Sequence, residues 1–477
     1  MLTQVFKHEW KILSADRTLW ATTVLLLVTF AYGFHNGSSW VEFQRSTLRS
    51  IQEEEHQRLA QMKIGIENAN AGRNRPPSFS DPRNASAASR TLGLKYASMP
   101  PGPLAALAVG QSDLYPYYFK VSIASKDTFL NNDEIENPVH LISGRFDVAF
   151  VILYLYPLVI LALSYNLISW EKESGTLAMT LAQPVSLEGV VLGKIVFRFL
   201  FVVAIGIVLS IGGLIATGGL AQPGDVPLRL VLWCGVVALY GAFWFGVAML
   251  VNACGASSST NAIALSGIWL ALVLLIPSLL NVGVKAIYPV PSRVEMVQAM
   301  RTASAEASGK GSQLLARYYE DHPDLAGERT DTNDFAALSL ATQDEIERRA
   351  QPVMDRFDEQ LALQQALVDR YRFLSPTIIA QSSLLEIAGT GTERYKHFLG
   401  LSDRFHRAWR SYFYPKIAKN QPIAASDIDG FPDFHFEEEP SSVVAARAGA
   451  ALIGLGVPAL LVCGLGVFLL RRFPIVG

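Results

Sequence analysis

Apolar runs of membrane-crossing length alternate along this chain with two long polar blocks. Residues 17–34, 148–169 and 443–470 each form one such run, and 195–284 holds three more. Phe150–Ser169 and Ile195–Ile215 reach the roughly 20 residues that a helix needs to cross a bilayer, and the first run is shorter. The pattern predicts a mainly α, polytopic membrane protein with six transmembrane helices: Leu19–Phe34, Phe150–Ser169, Ile195–Ile215, Leu230–Val251, Asn261–Gly283 and Val443–Leu470. Ahead of the first, residues 1–16 place Leu2, Val5, Phe6, Trp10 and Leu13 on one helical face, away from Lys7, His8 and Lys11. This is the signature of an interfacial helix, with a frayed, merely charged N-terminus as the plainer alternative. A cleavable signal peptide competes for the short first run, but no clean small-x-small site follows it.

In the first polar block, 35–147, Trp40–Asn68 reads as a helix with Phe43, Leu48, Ile51, Leu59 and Met62 among charged neighbours. Gly72–Ser89 reads as a mobile loop. Met99–Val121 holds too many prolines for a long helix and ends in Tyr115, Tyr117, Tyr118 and Phe119. These aromatics form either a ligand platform or a lid packed at the membrane interface, where Tyr is favoured. The second block, 285–442, is largely helical, with periodicity over Val294–Tyr319, Asp334–Arg372 and Thr392–Tyr414. The last places Tyr395, Phe398, Leu399, Phe405, Trp409 and Tyr412 on one side. Ser375-Pro376 and Gly391-Thr392 are helix starts.

The connector at 170–194 is short, polar and twice broken. Glu171, Lys172 and Glu173 close the second span, Gly175 breaks the helix, and Thr176–Leu181 makes a short amphipathic turn. Pro184 breaks the chain again, Ser186 can cap a new helix, and Lys194 stands where the third span begins. Such a segment is either a passive hairpin or a docking surface, and the residues alone leave both open.

Composition agrees with a membrane protein carrying sizeable polar parts. Half of the 477 residues are hydrophobic and 17% are charged, against about 25% in a soluble chain. A net charge of −2 gives no reason to expect nucleic acid. Cys234, Cys254 and Cys463 fall in or beside apolar runs, so neither disulfides nor a Cys-ligated metal are expected. Lys7, Lys11, Arg17, Lys172, Lys194, Arg198, Arg471 and Arg472 flank one side of the spans. Arg145, Arg229, Lys285 and Arg447 flank the other. The positive-inside rule then puts the termini, including the tail 471–477, and the connector in the cytoplasm. Both polar blocks become extracytoplasmic segments of an inner-membrane protein.

Chemistry is conspicuous by what is missing. Gly189-Val-Val-Leu-Gly193-Lys194-Ile195 is one residue short of a phosphate-binding loop and lacks its hydroxyl. Neither H-E-x-x-H nor G-x-S-x-G occurs. His397, His406 and His435 could build a metal site, though exposed helix histidines are the ordinary reading. Between Arg229 and Lys285 there is no ionisable side chain, whereas ion-coupled carriers place such groups near the midplane. Energy for any transport must enter from elsewhere.

Glu171-x-Glu173-x-Gly175-Thr176-Leu177, Gln183-Pro184-Val185-Ser186 and Gly193-Lys194, in that order, resemble the cytoplasmic coupling loop of ABC-2 type transporter permeases. The runs around Pro100–Leu104, Val109–Tyr118, Gly144–Asp147, Leu374–Pro376, Glu386–Thr390 and Tyr395–Phe398 are similar to a subfamily with a large extracytoplasmic domain of unknown function (DUF3526-like). The likeness covers nearly the whole chain. It implies a permease subunit of an exporter without an ATPase site of its own, paired with a second permease chain, identical or sister. A separate ABC ATPase would carry ATP and Mg²⁺, this chain binding no cofactor. Residues 1–16 become an elbow helix, with Phe6 and Trp10 as its markers. On the loop, Glu171 and Glu173 become polar docking contacts, Leu177 and Leu181 apolar ones, and Gly175 and Pro184 shape-giving residues, with Thr176 and Lys194 completing the motif. The outer domain gates exit or docks an extracytoplasmic partner. The rival reading is an extracytoplasmic sensor or scaffold that signals to a cytoplasmic partner without transport.

Overall fold

The computed structural model describes residues 2–15, 17–74, 76–77, 80–110, 112–123, 145–183, 186–219, 225–290, 293–310, 313–314, 316–317, 320 and 335–473. Pro184, Val185, Gly144 and the side chains of Leu2 and Val5 lie outside the described residues. In chain order the elements are α1 (Leu2–Ala15), α2 (Arg17–Asn70), the strands β1 (Lys95–Ser98) and β2 (Tyr118–Val121), and α3 (Val148–Glu173). Then come α4 (Thr176–Leu181), α5 (Leu187–Ala216), α6 (Val226–Ala253), α7 (Ser258–Ile287) and α8 (Arg293–Ser308). The chain closes with α9 (Phe335–Tyr371), α10 (Pro376–Ala388), α11 (Thr392–Ala418) and α12 (Ser441–Arg471). The fold is mainly helical, and α2, α3, α5, α6, α7 and α12 are long and apolar enough to cross a membrane.

Two apolar cores organise these elements. The spans surround α6, whose Trp233, Tyr240 and Trp244 are fully buried. A second core joins the far half of α2, the β-hairpin, α8, α9 and α11 around Phe398, Trp409 and Phe413. The expected break between a first span ending at residue 34 and a helix starting at Trp40 is absent. Instead α2 runs unbroken for 54 residues, about 80 Å at 1.5 Å per residue, and contributes to both cores. Gly33 and Gly37 serve close approach rather than termination. A Cβ at Gly37 would lie 2.1 Å from the carbonyl oxygen of Ala106, and one at Gly33 would lie 2.8 Å from the carbonyl carbon of Asp147.

The aromatic run of the first block packs inward. Tyr117 and Phe119 are buried, Tyr115 stacks on Tyr395 with centroids 4.4 Å apart, and Phe119 stacks on Phe398 at 5.4 Å. Tyr118 meets Tyr96 edge-on at 6.1 Å. The run therefore makes core contacts, Tyr115 and Phe119 with α11 and Tyr118 with β1. It also supplies β2, which pairs antiparallel with β1 (Lys95 opposite Val121, Ser98 opposite Tyr118), a small sheet the periodicity does not announce. Gly72–Ser89, read as a mobile loop, holds structure at its end: Asn84 caps the turn Ala85–Ala87 by accepting from the Ser86 N–H at 2.9 Å.

The main departure from the sequence reading is α10. It falls inside the second polar block, yet Ile379, Ala380, Leu384, Ile387 and Ala388 belong to the core of the spans. Its 13 residues extend about 20 Å, too short for a bilayer of about 30 Å, so it enters the bundle and stops part-way. The Ser375 hydroxyl caps it by accepting from the Thr377 N–H at 3.2 Å, with Pro376 at the first position. The Thr377 hydroxyl bonds Tyr240 Oη at 3.0 Å, about halfway along α6. At the other end Gly389 takes the left-handed conformation, φ +76°. There Arg229 donates to the carbonyls of Glu386 (3.4 Å) and Ile387 (3.0 Å), and Arg394 to that of Gly389 (3.2 Å). Cations at the C-terminus of a helix complement its dipole.

Candidate functional site

The connector between α3 and α5 folds much as its breaking residues dictate. The end of α3 stops at Gly175, which is left-handed at φ +70° and so suits the one residue without a Cβ penalty. After α4, Ser186 caps α5 by accepting from the Gly189 N–H at 3.1 Å. Thr176 Oγ1 bonds Ser174 Oγ at 2.9 Å and closes the turn.

What fastens the connector is ionic and buried. Lys194 Nζ donates to Glu171 Oε1 at 2.6 Å and to the Leu167 carbonyl at 3.3 Å, and lies 4.0 Å from Glu9. Arg198 donates to Glu9 Oε2 from Nε (3.3 Å) and Nη2 (3.1 Å), and from Nη1 to the Leu163 carbonyl. Glu9 is 1% exposed, Lys194 6% and Arg198 8%. Two carboxylates and two cations thus neutralise each other while tying α1, α3 and α5 together. Removing one partner from such a set leaves an uncompensated buried charge, at a cost of about 3–5 kcal/mol. The network walls an open cleft of ≈330 Å³, with Leu13 and Trp170 also in its lining. Phe6 and Trp10 of α1 pack edge-on against Phe197, at 5.5 and 6.4 Å, so both markers of the first helix sit on α5.

A second set of bonds reaches α7. Glu173 accepts from the Ser258 N–H (2.7 Å) and hydroxyl (2.9 Å), at the first turn of that helix. The Ser258 hydroxyl also bonds Ser169 Oγ at 2.8 Å. Beside it, the Asn252 amide donates to the Ser164 carbonyl at 2.9 Å, and Asn261 donates to Asn252 Oδ1 at 3.3 Å. These polar groups bind α3, α6 and α7 at one level.

Glu171 and Glu173 both make bonds within the chain, Glu171 to Lys194 and Glu173, which is exposed, to Ser258. Leu177 is 7% exposed and part of the span core, with Leu181 packed against it, so both anchor the loop rather than face outward. The outward face is instead Ala178, Met179, Ala182 and Gln183, with Met179 73% exposed. Glu9 escaped the sequence reading, although 2, 5, 6, 9 and 13 share a helical face; a charge on a surface helix looked ordinary. Asn252, Ser258 and Asn261 escaped because their segment is uncharged and reads as a plain joint. His397 bonds the Glu437 carbonyl at 2.9 Å, and His406 is fully buried. Among the described residues no group of three or more His, Cys, Asp or Glu could hold a metal.

Residues 293–437 match a family described as a domain of unknown function (DUF3526). The match begins at the first residue of α8 and includes α9, α10 and α11. No curated protein matches the chain.

Proposed function

We propose that this chain is the membrane-spanning permease subunit of an ABC-type exporter, driven by a separate ATPase that seats on the connector from the cytoplasm. The observation that carries this reading is the construction of the connector. Its inner side is locked to three helices by buried ion pairs and a helix cap, while α4 presents Ala178 and Met179 outward, with Ala182 just beyond its end. A passive hairpin needs no such anchoring; a surface that must receive force and pass it on does. The association of DUF3526 domains with ABC-2 type permeases supports the same reading. In it, ATP and Mg²⁺ act on the ATPase, two permease chains form the working unit in the inner membrane, and both termini lie in the cytoplasm. The module built on α8, α9 and α11 then stands outside, on the exit side.

The test is a pull-down from solubilised membranes. Met179→Glu with Ala182→Glu alters the outward face without touching the ion network, so it leaves folding intact and abolishes co-purification of an ATPase. Recovery of an ATPase at wild-type level with this variant removes the docking face from the proposal. Absence of any ATPase with the wild-type chain removes the transporter. The rival sensor reading is favoured by one feature, the separate core of the polar module. It predicts partner recruitment without substrate-stimulated ATP hydrolysis.

A further inference from the structure

Helix α7 is attached unlike α3 and α6. Only Asn261, Leu265, Val273 and Val284 are buried along it, whereas α6 buries a large side chain on nearly every turn. Polar bonds hold α7 at three levels instead. At its start Glu173 caps Ser258, at 2.7 and 2.9 Å. Midway, the Leu272 carbonyl accepts from the Ser375 hydroxyl at 2.5 Å. At its far end the Tyr288 carbonyl accepts from the Gln364 amide at 2.5 Å.

The middle tie is of a special kind. Leu272 lies in a π-helical turn, Leu270–Leu275, where the ordinary i→i−4 ladder is interrupted and a carbonyl is open to an outside donor. Across the bundle, α3 carries a second π-helical turn, Val151–Leu155, and there the Leu153 carbonyl accepts from Tyr240 Oη at 3.0 Å. The same Tyr240 hydroxyl bonds Thr377. Two π-turns in different spans therefore meet the first residues of the half-helix α10, one through Ser375 and one through Tyr240 and Thr377. Local breaks in helix geometry of this type kink helices and recur at functional sites.

We infer that α7 is the element that carries displacement of the connector to α10, with Glu173 at its start and Ser375 at its midpoint as the positioning residues. The inference deepens the proposed function and rests on it only for the origin of the push. Moving α3 or α6 along its axis disrupts close-packed side-chain contacts all along its length, and packed interiors resist this. Moving α7 disturbs few, and the axial load passes through its cap and its midpoint bond. Spatial continuity alone does not establish a route; coupling between the two ends does.

The test uses the full chain in lipid nanodiscs, without ATPase, with Cys234, Cys254 and Cys463 replaced by Ala. Spin labels at Val231→Cys on α6 and Ser382→Cys on α10 report the position of the half-helix by pulsed electron resonance. Glu173→Ala is expected to shift or broaden the distance distribution, although it lies at the opposite end of the bundle. In a Ser375→Ala background the same substitution is expected to add nothing. Ser258→Ala deletes the hydroxyl side of the same cap and gives a smaller shift of the same sign, which covers the case in which Glu173→Ala fails to fold. An unchanged distribution in the folded cap variants overturns the inference, as does a Glu173→Ala shift of equal size with and without Ser375. Because no ATPase is present, failure here is separate from failure of the pull-down.

Discussion

Glu9 offers the sharpest test of how the connector is held. Its carboxylate is 1% exposed and lies 3.1 Å from Arg198 and 4.0 Å from Lys194. Two unit charges 4 Å apart interact by about 4 kcal/mol at an effective dielectric near 20, and desolvation offsets much of that gain. Replacing Glu9 by Leu removes the attraction but leaves Arg198 buried with only the Leu163 carbonyl as a partner. The expected loss is about 3–5 kcal/mol. One kcal/mol moves the melting point of a mid-sized domain by about 2–4 °C, so the drop is on the order of 10 °C in a thermal-shift assay on detergent-purified protein. Arg198→Met alone, which strands Glu9 in turn, should behave alike. The double variant Glu9→Leu/Arg198→Met strands neither charge and is expected to recover most of the loss, since apolar substitutes for a buried pair are often neutral. Single variants within about 1 kcal/mol of wild type, the range of a solvated surface pair, would refute the reasoning. So would a double variant whose loss is the sum of the singles.

Two further outcomes follow from the geometry. Gly37→Ala drives a Cβ into the Ala106 carbonyl oxygen at 2.1 Å; backbone on both sides leaves nothing flexible to yield, so a loss of at least about 1–3 kcal/mol is expected, read as a lowered melting point, while Gly212→Ala, with open space around it, is neutral. In the polar module, the Arg349 side chain donates to Glu345 and holds its carboxyl below the ordinary value of 4.5. A depressed carboxyl contributes stability above its unfolded value and loses it as pH falls through the folded one. Limited proteolysis between α8 and α9 should therefore rise below about pH 4.5 in the wild type, and Arg349→Met should remove that pH step.

The features legible in the sequence are those written in local signals. Six apolar runs of spanning length, the break at Gly175, the cap at Ser186 and the Ser375-Pro376 start all stand in the structure. So does the inward face of α11, where Phe398, Phe405 and Trp409 are buried as their spacing requires. What was hidden depends on distant partners. Glu173 meets Ser258 across 85 residues, and no pattern near either residue points to the other. Glu9 lies on the apolar face of α1, and its partners Arg198 and Lys194 stand about 190 residues away in sequence. Helix α10, at 13 residues, is shorter than a span and follows the charged end of α9, so its burial depends on α6 and α12, which enclose it. The continuity of α2 was concealed by Gly33 and Gly37, residues that mark a stop in one setting and a contact in another.

The half-helix α10 also fixes an order of events during synthesis. Its wall on one side is α6, made earlier, but on the other it packs against α12, where Ile379 would touch a Cβ on Gly454 at 3.5 Å. With 13 residues it is too short to be threaded across a bilayer as a span in its own right. As the ribosome releases it, its seat lacks the wall that α12 provides. Ser375 and Thr377 meet partners already made, the Leu272 carbonyl and Tyr240, but the apolar seat closes only when α12 emerges. Maturation of this chain thus includes a late docking step deep in the bundle, and α10 keeps one apolar side unsheltered until α12 is in place.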